Sequence, residues 1–129
     1  MEAVASGDSD AVAALYAEQA ILHHPRFPEP ARGRATIRAA EQELFDSFSD
    51  IEVELRSALA GESTWAAEVL LRATNTGPID LGGDHPVAAT HKRIEAEMVW
   101  VFDVRDDGLI VEERDYLDTA ALMRQLGLD

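Results

Sequence analysis

The 129-residue chain contains no cysteine, so disulfides and thiolate chemistry are excluded, although this absence says little about compartment. Aromatic residues are scarce at 6%, against 47% hydrophobic residues in all, a normal globular mixture. Basic residues are also few. Eleven Lys and Arg against 25 Asp and Glu leave a formal net charge of -14. Nucleic acid and anionic membrane need clustered Lys and Arg, so neither is expected as a partner. The charge reads as a solvated acidic surface. No apolar stretch approaches the roughly 20 residues that span a bilayer. The start, Met1 to Asp8, has neither the basic region nor the apolar run of a secretory leader, and a cytoplasmic protein is expected.

The length fits one domain with one core, and no repeat or linker divides it. Ala11, Val12, Leu15 and Tyr16 form an apolar stripe that predicts a helix over Asp8 to Ala17, capped by Asp8 or Ser9. A short strand over Gln19 to His24 follows. Pro25, Pro28 and Pro30 then impose a loop. Ile37, Ala40, Leu44, Phe45 and Phe48 predict a second helix from about Arg34 to Phe48. From Ile51 the period becomes two. Strands are expected there, over Trp65 to Thr74, over Arg93 to Arg105 and over Leu109 to Leu117. Thr76 to Thr90 is a Gly-, Pro- and Asp-rich loop, and Asp106-Asp107-Gly108 signals a hairpin. A last helix over Thr119 to Leu128 starts at Asp118. Helices first and a four-strand antiparallel meander after them give an α+β fold with helices on one face of a curled sheet.

Three stretches carry a resemblance. They are Ala5-Ser6-Gly7-Asp8 with Ala13 to Ala17, the segment from His24-Pro25 to Gly33-Arg34, and Asp107-Gly108 through Asp118 with the tail Leu122 to Gly127. With them the sequence resembles the SnoaL-like, polyketide-cyclase branch of the nuclear-transport-factor-2-like superfamily. Ketosteroid isomerases and limonene-epoxide hydrolases are wider relatives. The resemblance implies a cone: a bent sheet around helices, with a deep pocket for a small apolar molecule and a convex face that often forms a homodimer. A homodimer through Val99 and Val101 is therefore expected. The few residues before Gly7 are fewer than in relatives, which implies a more open pocket mouth.

Parity sorts the strand residues. In the last strand Leu109, Val111, Glu113, Asp115 and Leu117 share one face. The epoxide hydrolases that the chain resembles carry a catalytic aspartate in an Arg-Asp-Tyr run, and Asp115 sits in such a run, so this face is placed inward. Glu113 and Asp115 are then roughly 7 Å apart in a partly dry cavity, where each raises the other's pKa and acid/base work becomes feasible. Arg114 points away. His24, before Pro25, stands where the isomerases have their general base, and a histidine can serve there. His23 points the opposite way. Met98, Trp100 and Phe102 form pocket wall or core, with Tyr16, Phe27, Trp65 and Leu117 as further lining candidates. The direction of Glu68 is ambiguous.

The chain departs from its relatives at several positions. The isomerases' tyrosine donor lies in the helix that is short here, and Trp100 replaces their aspartate donor. The epoxide hydrolases' Arg and second Asp are matched only by Glu68 and Arg72, and the cyclases' His and Gln by Met98, Trp100 and Phe102. No metal-ligand spacing joins His23, His24, His85 or His91 to carboxylates, and neither metal nor cofactor is expected. The expected function is a cofactor-independent acid/base cyclase or isomerase of a carbonyl metabolite. The alternatives are epoxide opening by activated water and non-catalytic binding of an apolar molecule.

Overall fold

The Asp8 carboxylate accepts hydrogen bonds from the backbone N–H groups of Asp10 and Ala11, which fixes the start of a short helix. The computed structural model describes residues 2–129, and its elements follow in the order α1 (Glu2–Ser6), α2 (Ser9–Ala13), β1 (Tyr16–His23), β2 (Ala31–Arg32), α3 (Arg34–Ser47), β3 (Phe48–Ala60), β4 (Thr64–Asn75), β5 (Arg93–Val104), β6 (Ile110–Leu117) and α4 (Thr119–Leu126). The helix expected over Asp8 to Ala17 ends at Ala13, because the next residues join the sheet. The Leu15 carbonyl accepts from Ile110 N–H, Tyr16 pairs with Ile110, and the Arg34 guanidinium donates twice to the Tyr16 carbonyl. Long-range pairing here overrides a local helical period. The short turn α1 lies outside the expected elements, and its Val4 packs on the core.

The expected meander β3–β4–β5–β6 forms, and it is extended to six strands in the order β2-β1-β6-β5-β4-β3. β1 runs parallel to β6, whereas every other pair is antiparallel. The result is a curved, unclosed sheet wrapped around helices, with no closure of β2 onto β3. No described helix is long and apolar enough to cross a membrane.

Three apolar clusters line the inside of the curve. One joins Val12, Tyr16, Leu22 and Ile37 between α2, β1 and α3. The second gathers Phe48, Ile94 and Leu126 under α4. The third is the sheet wall of Val69, Met98 and Trp100. Burying each such side chain contributes about 1.5–3 kcal/mol. Asp118 caps α4 through Ala121 N–H, and Gly127 ends it at φ 75°, a left-handed conformation that suits glycine.

The register of β6 breaks against β5. Asp103 faces Glu112, yet Val104 faces Ile110, so Val111 is an extra residue. This bulge flips the parity before Glu112. Ile110, not Leu109 or Val111, lines the cavity, whereas Glu113, Asp115 and Leu117 keep the expected inward face.

Candidate functional site

The main cavity lies between the concave sheet and helices α2, α3 and α4, with a volume of about 170 Å³. A cavity of about 150 Å³ holds a benzene ring. The site therefore suits a ligand of one or two rings, and a larger one projects through the mouth. Leu15 and Arg26, lining residues that are also exposed, mark that mouth.

Cross-strand pairing assembles the wall. Met98 faces Leu117, Trp100 faces Asp115 and Phe102 faces Glu113. Residues opposite each other in an antiparallel pair hold their side chains side by side. The wall thus alternates apolar and carboxyl groups at adjacent positions. Trp100 and Phe102 meet edge to face with ring centroids 6.4 Å apart, which fixes both rings.

Glu113 is only 5% exposed. The Tyr16 hydroxyl reaches across from β1 and donates to its Oε1 at 2.5 Å. Burial, with the Glu113 charge next, pushes the Tyr16 phenol well above its usual range, so it stays a donor. Asp115 is raised well above the ordinary carboxyl range. Burial is the largest cause, hydrogen bonding to Glu113 and repulsion from its charge follow, and Glu41 adds a smaller push. Of the two carboxyls that the sequence placed together on this face, Asp115 is the one whose hold on its proton is strengthened.

Two buried polar atoms on this wall, Trp100 Nε1 and Asp115 Oδ1, have no hydrogen-bond partner among the described residues. Leaving such a group unpaired costs about 1–3 kcal/mol.

His24 also lines the cavity, tilted against Phe27 with ring centroids 5.2 Å apart. Burial, reinforced by the Arg26 charge, lowers its pKa to about 4, so the ring is neutral. Its Nδ1 accepts from the Arg26 backbone N–H at 3.1 Å. The ring proton consequently sits on Nε2, and His24 is a donor in the form present at neutral pH. His23 points outward and meets Glu112 at 2.6 Å.

The structure brings Asp115, Glu113, His24, Tyr16, Phe27, Met98, Trp100, Phe102 and Leu117 to one cavity. Trp65 is the exception. It faces Phe102 at the outer end of β4, beyond the helical cover, and with 52% of its surface exposed it does not line the cavity. Glu68 faces Val99 on the opposite side of the sheet and is exposed. Arg114 points away and pairs with Asp103 at 3.0 Å.

Glu41 on α3 lies outside the sequence-derived set, although it lines the cavity. Burial first, and the Glu113 charge second, push its pKa up to about 7, against a smaller opposing effect of Arg26. Its signal was legible in principle. Glu41 follows Ile37 by four residues and precedes Phe45 by four, so a charged residue stands within the apolar stripe.

No protein of curated function matches the sequence. TsrD from Streptomyces laurentii is similar in structure, with a TM-score of 0.80 and 22% identity over 98% of this chain and 88% of that one. A polyketide cyclase-like protein from Xanthomonas campestris pv. campestris gives 0.78 and 26% identity, covering 97% of this chain and 89% of that one. An epoxide hydrolase of the limonene-epoxide-hydrolase type from M. tuberculosis gives 0.71 and 21% identity, covering 97% and 81%. The sequence pattern of the SnoaL-like polyketide cyclases spans residues 1–126, nearly the whole chain, and the inward-facing carboxyl wall of β6 lies within that span. The chain belongs to the SnoaL-like polyketide cyclase family.

Proposed function

We propose that this protein is a cofactor-independent acid/base enzyme that enolises a small, mostly apolar carbonyl compound and directs its cyclisation or isomerisation. The observation that carries this reading is the pair Glu113 and Asp115 on one wall of an apolar cavity, where burial first and the neighbouring Glu113 second raise Asp115 well above the ordinary carboxyl range. A protonated carboxyl can donate to a carbonyl oxygen, while an ionised one cannot.

The roles follow from the geometry. Asp115 donates its hydrogen bond, and then its proton, to the ligand oxygen. Glu113, anchored by Tyr16, stabilises the protonated form of Asp115. Glu41 projects from the helical wall opposite the sheet and titrates near neutrality, which suits a base. It takes the α-proton of the ligand, and the C–H electron pair forms the enol double bond. In isomerisation the proton returns at another carbon. In cyclisation the enol carbon attacks a second carbonyl of the same molecule.

The test uses 1-tetralone, a two-ring ketone, with deuterium exchange at its α-carbon followed by proton NMR. Exchange above the buffer rate is expected for the native protein. Asp115→Asn and Glu41→Gln should each reduce it by about 10²–10⁴-fold, the range of general acid/base groups. Binding without exchange overturns the enzymatic reading in favour of a binding protein. The Arg114-Asp115-Tyr116 run supports a second reading, in which Asp115 protonates an epoxide oxygen and Glu41 activates water. Hydrolysis of styrene oxide without ketone exchange would select it.

A further inference from the structure

We infer that His24 and Arg26, two residues apart on the connection from β1 to β2, anchor a ligand carboxylate at the mouth of the cavity, so that the ligand is an organic acid whose apolar ring system fills the interior. The inference rests on the acid/base reading above for the ligand's carbonyl and adds its second group, which makes the substrate class a keto acid.

A tight turn sets both side chains. Pro25 fixes its second position, and Phe27 N–H closes it by donating to the His24 carbonyl at 2.9 Å. Arg26 N–H donates to His24 Nδ1 at 3.1 Å, so the ring hydrogen sits on Nε2. That second ring N–H has no partner among the described residues, and His24 lines the cavity. The contact with Phe27, at 5.2 Å between ring centroids, holds the donor in place before ligand arrives. Arg26 is the one cation among the described residues that line the cavity. Six other arginines form ion pairs with carboxylates, and none of them lines the cavity. Arg26 forms no such pair among the described residues, and Glu41 and Glu43 act on it only from a greater distance. In a chain with 25 Asp and Glu against 11 Lys and Arg, an arginine without a carboxylate partner at a cavity mouth is free to meet a charge brought by the ligand. Its planar fork matches a carboxylate, and His24 adds an uncharged donor. One positive charge answers one negative charge. A phosphate would bring up to two, in a cavity that already holds Glu41, Glu113 and Asp115. The stronger hold of Glu41 and Asp115 on their protons lessens the repulsion that a single carboxylate meets there.

The experiment separates the anchor from the chemistry because it reads binding alone. The probes are 6-carboxy-1-tetralone, whose carboxylate lies at the opposite end from the carbonyl, and its primary amide, which has the same shape without the charge. By calorimetric titration at neutral pH and about 0.05 M salt, the acid should bind about tenfold more tightly than the amide, the effect of about one charge-assisted contact open to solvent. About 0.5 M salt should reduce that preference. Arg26→Gln should bring acid and amide to within about threefold of each other, whereas Arg26→Lys should keep part of the preference through its point charge. Both variants should melt near the native temperature, because Arg26 is exposed. In a histidine-¹⁵N-labelled sample, with His24→Gln to identify the signal, the acid should move the His24 Nε2 resonance and leave those of His85 and His91 unmoved. An acid that binds no more tightly than the amide overturns the anchor. So does a preference that persists in Arg26→Gln, since another group would then hold the charge, and so does a His24 resonance that does not move. Deuterium exchange of 1-tetralone, which carries no carboxylate, reads the reaction separately. Exchange without a preference for the acid sinks the anchor and leaves the reaction, and a preference for the acid without exchange does the reverse.

Discussion

Glu41 and Asp115 are half-buried residues whose carboxyls hold their protons to higher pH than they do in an unfolded chain. The folded state then binds more protons than the unfolded state across that interval, so stability falls as pH rises through it. For Glu41 the interval runs from its ordinary 4.5 to about 7. The loss across it is on the order of 2 kcal/mol once residual solvent contact is discounted. Melting temperature should thus be higher at pH 5 than at pH 8. Glu41→Gln should flatten this slope and raise the melting temperature at pH 8. An unchanged slope would mean that Glu41 is solvated in the native state. Asp115→Asn should likewise keep or raise stability, because it removes a carboxyl crowded by Glu113, while it removes proton transfer. A large drop in melting temperature with unchanged exchange would make Asp115 a scaffold residue. Much of this wall was legible in sequence: two carboxyls at spacing two on an alternating strand share one face whatever the tertiary context. Glu41 was not read, since the helical stripe was followed by its apolar members alone. The tautomer of His24 depends on a loop amide that no periodicity reveals.

At the scale of elements, sequence periodicity located α3, β4, β5 and α4 to within a residue or two at most ends, because each carries its own apolar pattern. It failed where distant segments decide the outcome. β1 starts at Tyr16 where its pairing with β6 begins, and the β6 bulge at Val111 exists only in the register with β5. The loop after β4 is the other case. It looked like a plain Gly- and Pro-rich connection, yet it is tied down by Asn75, which is fully buried. The Asn75 amide donates to the carbonyls of Ser47 and Gly77, and its oxygen accepts from the N–H and hydroxyl of Thr90. Gly77 lies so close to the end of α3 that a Cβ there would meet the Asp46 carbonyl oxygen at 1.8 Å. Asn75→Ala leaves the Gly77 carbonyl and the Thr90 N–H without their partner, while the Ser47 carbonyl keeps the N–H groups of Thr76 and Gly77. A loss of about 2–3 kcal/mol in chemical denaturation is expected. A loss below about 0.5 kcal/mol would show that water replaces the amide and that the loop is not anchored by it.

For the whole molecule, the fold followed from the resemblance, which covers nearly the full chain, whereas the assembly has to be argued from the face turned away from the cavity. Val99 and Val101 lie there in register with Tyr116 and Arg114, and Leu59 faces the neighbouring Ala66. Leu59 is 74% exposed and Tyr116 55%. A net charge of -14 per chain opposes self-association. On this face, however, most of the acids other than Glu68 are paired: Arg114 with Asp103, Arg72 with Glu95, Arg93 with Asp50 and Glu52, and Arg56 with Glu54 and Glu97. The local charge is therefore far smaller than the total, and the apolar residues among these pairs can meet a second copy. The expected outcome is a homodimer in sedimentation equilibrium at micromolar concentration. Its association should tighten as salt rises from about 0.05 to 0.5 M, since screening removes the repulsion of the remaining acidic surface. Val101→Glu places a new charge at the middle of the face and should give a monomer with unchanged α-deuterium exchange of 1-tetralone. The competing outcome is a native monomer at micromolar concentration at both salt levels. In that case the exposed Leu59 and Tyr116 are the scattered surface apolar groups that soluble proteins commonly carry.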